Sequence, residues 1–111
     1  MKNVYRIAIP VLSKSRKADV LPDHVKAPFY ALVDIREKRV INIKFIENPF
    51  KKYDSPNDFS LHLASLGVNY IVTREKEKLL EFLDKVGIRV IENAEKNLNG
   101  TITTLIQHYL Y

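Results

Sequence analysis

Residues 59–91 read FSLHLASLGVNYIVTREKEKLLEFLDKVGIRVI, and they contain two places where a helix pattern ends and a strand pattern follows at once. These junctions are centred on Gly67 and Gly87. Glycine readily takes the left-handed conformation that closes a helix. Helices that return directly to apolar strands are typical of βαβ units, whose crossovers are right-handed. The stretch therefore predicts parallel strands connected by helices.

Three more strand patterns precede this stretch. The predicted strands of the whole chain are residues 4–12, 29–35, 40–46, 68–72 and 88–91. The first is almost uniformly apolar, which is typical of a strand buried on both faces. The charged residues 36–39 have the length of a hairpin connection. A hairpin joined to βαβ units predicts a mixed sheet.

The third strand alternates between apolar and polar side chains. Ile41, Ile43 and Phe45 are predicted to share one face, with Asn42 and Lys44 on the other. One wet face indicates an antiparallel edge strand. A lysine on such a strand discourages pairing with another chain.

Polar residues predict where the helices begin. Asn57 or Asp58 is predicted to cap a first helix that runs to Leu66. A turn at residues 99–100 is predicted to precede Thr101, the cap of the last helix. The predicted element order is βββαβαβα, an α/β fold.

Length and composition limit the class of protein. The chain has 111 residues, which predicts a single domain over residues 1–111. It has no cysteine, which excludes a disulfide framework, a thiol nucleophile and a cysteine-ligated metal site from this chain. Its three glycines cannot form a phosphate-binding loop or a nucleophile elbow, so no enzymatic activity is predicted.

The charge is basic and mixed along the chain. The formal net charge is +5, which is compatible with an anionic partner. The longest apolar run, residues 7–12, is a strand's length, so no membrane span is predicted, and the expected location is the cytoplasm. Abundant lysine, glutamate, isoleucine and tyrosine without cysteine suit a thermophile.

Short matches run in order through the chain from about residue 4 to its C-terminus. They are Ile7-Ala8-Ile9-Pro10-Val11, Ala27-Pro28-Phe29-Tyr30-Ala31-Leu32-Val33-Asp34, Phe45-Ile46-Glu47-Asn48-Pro49, Leu66-Gly67-Val68, Val86-Gly87-Ile88 and Gly100-Thr101. In order and spacing they resemble the dinitrogenase iron–molybdenum cofactor biosynthesis family, small carrier proteins of nitrogenase cofactor assembly and their stand-alone relatives.

The resemblance implies a fold and a class of function. The implied fold is a ribonuclease-H-like α/β fold with a five-stranded mixed sheet in the order 3-2-1-4-5 and strand 2 antiparallel. Nuclease activity is not implied, because the first strand lacks the carboxylate that metal-dependent nucleases of this architecture carry there. The implied function is that of a non-catalytic carrier, whose cofactor would be an iron–molybdenum or iron–sulfur type cluster.

The resemblance also indicates where a ligand would bind. Family members commonly carry a His-Phe-Gly-Arg-like segment before the second strand, whose histidine is a candidate cofactor ligand. Here Asp23 falls on the histidine position, and His24 follows it. Two glycine-rich family stretches are replaced by residues 55–58 and 73–76. The alternative interpretation is a solvated polar loop, because no third metal ligand is visible nearby.

The first functional hypothesis is therefore a carrier of an anionic ligand or a metal cluster. It would bind near loop 13–27 and the N-terminus of the first helix, where free N–H groups attract anions. The predicted binding residues are Asp23, His24, Lys26, Asn57 and Asp58, with His24 as the candidate metal ligand.

Two other hypotheses stay open. One is a basic nucleic-acid-binding module, in which Lys14, Arg16 and Lys17 contact phosphates and Tyr30 or Tyr53 stacks on bases. The other is an interaction or regulatory domain that works as a homodimer. The chain is thus predicted to be a monomer or a homodimer.

Overall fold

The computed structural model describes residues 4–21, 26–49, 56–73, 76–92 and 95–108. Of these, residues 56–57 and 76–80 are described by their backbone only. Five strands and three helices alternate along the chain in the order βββαβαβα. They are β1 (Val4–Val11), β2 (Phe29–Arg36), β3 (Arg39–Glu47), α1 (Pro56–Ser65), β4 (Tyr70–Val72), α2 (Lys76–Lys85), β5 (Arg89–Ile91) and α3 (Leu98–His108).

The five strands form one mixed sheet in the order β3-β2-β1-β4-β5. β2 is antiparallel to both β1 and β3, whereas β4 is parallel to β1 and β5. The predicted α/β class and strand order are confirmed. Gly67 and Gly87 have φ angles of +75° and +78°, so both helix-to-strand junctions close as predicted.

The core lies in two layers, one on each face of the sheet. Ile7 and Ile9 of β1 face the layer that contains Leu98, Ile102 and Leu105 of α3. The other layer contains side chains of β1, β2, α1 and α2, namely Ala8, Tyr30, Leu32, Phe59, Leu63 and Leu83. β1 is therefore buried on both faces, as its apolar sequence predicts.

A β-bulge in β3 makes one prediction wrong. β2 positions 34 and 35 pair with Asn42 and Val40, so Ile41 between them has no opposite residue. Val40, Ile43 and Phe45 pack on the same core layer, while Ile41 is 47% exposed. An inserted residue interrupts the alternation of side chains along a strand. Ile41 therefore does not share the face of Ile43 and Phe45.

The helix starts also differ from the prediction. α1 begins at Pro56, so Asn57 and Asp58 lie inside its first turn and not at its cap. Proline suits the first helical position, because its φ angle is already helical and its missing N–H would have no helical partner there.

α3 begins three residues before the predicted cap. Asn97 caps it, because its Oδ1 accepts a hydrogen bond from Gly100 N at 2.7 Å. Asn99 and Gly100 therefore belong to the helix and form no separate turn. Thr101 is buried, and its hydroxyl donates to the Asn97 carbonyl at 2.9 Å.

Within the described part of the chain, none of the helices has the length and apolar run that crossing a membrane would require.

Candidate functional site

One edge of the sheet gathers the ends of several strands. β1, β4 and β5 run parallel and end there. Val11 of β1 pairs with Phe29 of β2, and Phe29 pairs with Glu47 of β3, so β2 begins and β3 ends at the same edge. Ligands of open α/β sheets bind outside the carboxyl ends of the parallel strands. We call this edge the C-terminal edge.

Residues 12–21, which follow β1, are hydrogen-bonded back onto that strand. Leu21 N donates to Pro10 O of β1 at 3.0 Å, and within the segment Leu12 N donates to Asp19 O at 3.0 Å. Val20 forms an antiparallel bridge with Val11. The segment is therefore paired alongside the last residues of β1.

The same segment is hydrogen-bonded to the start of α3. Val20 N donates to Lys96 O at 2.7 Å, and Leu98 N donates to Ala18 O at 2.9 Å. Ala18 is buried in the core layer under α3. Backbone bonds on both sides and a buried side chain hold residues 12–21 in a defined position.

Three exposed cations project from this fixed segment. Lys14 Nζ lies 5.1 Å from the centre of the Phe29 ring, within cation–π distance. Arg16 Nε donates to Asn99 Oδ1 at 3.0 Å, which orients its guanidinium. Lys17 is exposed on the same turn. The basic residues singled out in the sequence therefore stand together at the C-terminal edge.

A cavity of about 390 Å³ lies beside the segment, and its described lining is Asp19, Val20, Leu21 and Lys96. Leu21 immediately precedes the four residues that contain Asp23 and His24. The cavity thus lies on the loop for which the sequence predicts a ligand, and its rim carries one charge of each sign.

Asn48 fixes the chain just before β2. Its Nδ2 donates to Ala27 O at 2.7 Å, and its backbone N donates to Pro28 O at 3.1 Å. Asn48 is 1% exposed. Asn48 lies in one of the family matches, and the sequence signal for its role is that an asparagine beside a strand end is a frequent backbone partner.

The predicted site residues are only partly described. Asp23 and His24 lie outside the described residues, and so does the side chain of Asn57. Lys26 is exposed shortly before β2, and Asp58 is exposed in the first turn of α1.

The start of α1 lies close to the start of β2. The rings of Phe59 and Tyr30 pack with their centroids 6.2 Å apart. Phe59 follows Asp58, and Tyr30 lies four residues after Lys26, so both predicted site residues belong to the same edge. Tyr30 itself is 0% exposed, which rules it out as a stacking surface for bases. Tyr53 lies outside the described residues.

The described histidines are not gathered into a metal site. His108 is exposed in the last turn of α3, and His62 lies on α1. Among the described residues, no group of three or more histidine, aspartate or glutamate side chains is placed to hold a metal ion.

An ion pair that the sequence pattern did not predict lies in the sheet. Arg6 Nε and Nη2 donate to the two carboxylate oxygens of Asp34 at 2.7 and 3.0 Å, and Nη1 donates to Leu66 O at 2.6 Å. The Arg6 hydrogen bonds hold the pKa of Asp34 below its ordinary value, and a hydrogen bond from Asn42 acts in the same direction. The sequence signal for this pair is an arginine inside the apolar strand β1 and an aspartate inside the apolar strand β2.

Comparison with known proteins establishes the fold. No protein-family model and no curated protein matches the sequence. Among solved structures, PH0822 is 23% identical, with a TM-score of 0.80 over 96% of this chain and 94% of that one. A Thermotoga protein, named as a candidate NifB protein of the DUF35 family, is 20% identical. Its TM-score is 0.76, and the match covers 94% of this chain and 89% of that one. The apo orange protein from Desulfovibrio gigas is 16% identical. Its TM-score is 0.78, and the match covers 100% of this chain and 94% of that one.

Proposed function

We propose that this chain is a non-catalytic carrier of the dinitrogenase iron–molybdenum cofactor biosynthesis type, which holds an anionic ligand at the C-terminal edge. The observation that carries the proposal is the fixed position of the basic segment 12–21 over the end of β1, beside a cavity. The resemblance in sequence and the likeness in fold to a protein named for NifB support the choice of family. We also propose that the fold is of the ribonuclease-H-like type.

The electrostatics of the segment favour an anion. Lys14, Arg16 and Lys17 lie within four consecutive positions, and backbone bonds on either side hold the segment. A fixed group of cations attracts an anion without first losing the conformational entropy of a free loop. Lys26 adds a fourth cation before β2. A polyanionic metal cluster would match this arrangement better than a neutral ligand.

The predicted ligands complete the proposed site. Asp23 and His24 follow the cavity-lining Leu21 in the sequence. In the proposal His24 supplies a nitrogen ligand to a metal of the cluster, while Asn57 and Asp58 contribute from the first turn of α1. The first turn of a helix offers backbone N–H groups to an anion.

The non-catalytic part of the proposal rests on the sequence. A carrier must hold its ligand and release it, and it needs no nucleophile or paired acid and base. The chain has no cysteine, and its three glycines do not form a phosphate loop or a nucleophile elbow.

The test is anaerobic loading of the apo-protein with donors of iron–sulfur and iron–molybdenum clusters, followed by gel filtration and measurement of bound iron and molybdenum. We expect stoichiometric uptake by the wild type and strongly reduced uptake by the Asp23→Ala/His24→Ala variant. Uptake by that variant equal to the wild type would remove the predicted ligands from the site.

A matched pair of charge variants tests the basic segment separately. Lys14→Gln/Lys17→Gln removes two cations at the C-terminal edge, and Lys38→Gln/Lys85→Gln removes two exposed cations elsewhere. We expect only the first variant to lose uptake. An equal effect of both variants would mean that net charge, and not this site, attracts the cluster. Retention that falls steeply with salt in a nucleic-acid binding assay would favour the nucleic-acid hypothesis instead.

A further inference from the structure

A groove runs between β3 and α1, on the face of the sheet away from α3. Its larger part has a volume of about 310 Å³, and the described residues that line it are Ile46, Glu47, Pro49, His62 and Leu66. Three of these five side chains are apolar. This part offers a surface on which a small apolar body can be desolvated.

A smaller cavity of about 120 Å³ continues the groove, because Ile46 and Leu66 line both. The other described residues in its lining are Arg6, Leu32, Asp34, Asn42 and Lys44. The groove therefore has an apolar part and a polar end within one continuous lining.

The polar end retains cationic donors after its internal pairing is complete. Both carboxylate oxygens of Asp34 are occupied by Arg6. A guanidinium has five N–H donors, and the three hydrogen bonds of Arg6 to Asp34 and Leu66 leave two. Lys44 adds an exposed ammonium. The pair of Arg6 and Asp34 is neutral as a unit, so Lys44 gives the described lining of this end a net positive charge.

We propose that this groove binds a small monocarboxylate with an apolar body. The carboxylate lies at the polar end near Lys44, and the apolar body lies between Ile46 and Leu66. Glu47 lines the far part of the groove and repels a second carboxylate there. The volumes of about 310 and 120 Å³ place the groove at the lower end of the roughly 300–1,000 Å³ range of small-molecule pockets, which suits a compact acid.

The site is distinct from the one proposed for the anionic ligand. The polar end of the groove lies at Arg6 near the start of β1, whereas the basic segment follows Val11 at the end of that strand. Lys44→Gln leaves Lys14 and Lys17 in place, so the two proposals are tested separately.

The test uses hexanoate, hexanol and adipate as probes, with ¹⁵N–¹H correlation spectra of the full chain. We expect hexanoate to bind with a dissociation constant on the order of 1 mM, as for a ligand of this size. The amide shifts should centre on Leu32, Asn42, Ile46 and Leu66. Hexanol lacks the charge and adipate carries a second one, so both should bind about tenfold more weakly.

Two lysine variants make the test specific. Lys44→Gln removes the cation at the polar end and should weaken hexanoate about tenfold. Lys85→Gln is the control, because Lys85 is exposed on α2 and its nearest acidic partner, Glu81, is 4.0 Å away. The control should bind like the wild type. Absence of hexanoate binding, equal binding of hexanol or adipate, or unchanged binding by Lys44→Gln would each overturn the proposal.

Discussion

Replacing Asp34 by asparagine tests the ion pair that joins β1, β2 and the end of α1. The substitution keeps the shape of the side chain and removes its charge. Asp34 is 7% exposed, and the side chain of Arg6 is 38% exposed. Breaking a fully buried pair costs about 3–5 kcal/mol, and an exposed pair contributes about 0–1 kcal/mol. For this intermediate exposure we expect Asp34→Asn to lower the free energy of unfolding by about 2 kcal/mol at neutral pH.

The pH dependence of this loss follows from the pKa of Asp34. Its folded-state pKa lies below its ordinary value, so the ion pair contributes its full stability above the unfolded-state pKa of about 3.9. The contribution is lost as the pH falls through the folded-state pKa, where Asp34 becomes neutral. The difference between wild type and Asp34→Asn should therefore shrink toward zero in strong acid.

Urea unfolding followed by circular dichroism measures both effects. The midpoint should fall at unchanged slope, which identifies a change in stability and not in the surface exposed on unfolding. Asp84→Asn is the matched control, because Asp84 is exposed on α2, and it should change stability by less than about 0.5 kcal/mol. A stability change of less than about 0.5 kcal/mol for Asp34→Asn would refute the assigned role of the pair. A difference from the wild type that persists unchanged in acid would also refute it.

Substitutions at three further positions test local features by thermal unfolding. Asn48→Ala leaves the Ala27 carbonyl without its 2.7 Å hydrogen bond in a buried position, so it should cost about 1–3 kcal/mol; a neutral effect would contradict that bond. Gly87→Ala forces a side chain into a φ of +78° and should cost about 1 kcal/mol, whereas Gly87→Asn should cost less; no difference between the two would contradict the left-handed closure. Asn97→Ala removes the cap that accepts from Gly100 and should cost about 1 kcal/mol, while Asn97→Asp should retain most of the stability; equal losses would argue against the cap.

Local rules predicted the architecture because the relevant signals are close together in the sequence. Gly67 and Gly87 each follow an apolar helical stripe and precede an apolar strand, so the two parallel crossovers needed no tertiary information. The hairpin between β2 and β3 was also predictable from neighbouring residues. Glu37 and Lys38 have φ angles of 50° and 65°, which is the geometry of a two-residue turn that suits the twist of the strands. The full strand order came from the family resemblance.

Errors appeared where a neighbouring element overrode the local preference. Thr101 is a good cap by residue type, but its side chain is buried against the core, and Asn97 caps the helix one turn earlier. Ile41 follows the alternation of its strand, but the bulge opposite β2 turns it outward. Residue type alone shows neither event, because the first depends on the burial of Thr101 and the second on how β3 pairs with β2.

The candidate site was likewise predicted only in part from the sequence. The sequence identified Lys14, Arg16 and Lys17 as a group, since they lie within four positions. It did not show that residues 12–21 bond to the start of α3, which lies more than 70 residues further along the chain. Only those bonds turn a basic stretch into a fixed surface.

The amino-acid sequence by itself determined which segments become strands and helices, and that no cysteine or phosphate-loop chemistry belongs to this chain, because these follow from side-chain type and spacing. The tertiary structure decided which polar groups meet. Arg6 and Asp34 lie 28 residues apart and face each other only through the register of β1 and β2. That register is set by packing over the whole sheet, since a shift of one residue would turn every apolar side chain of a strand to the opposite face.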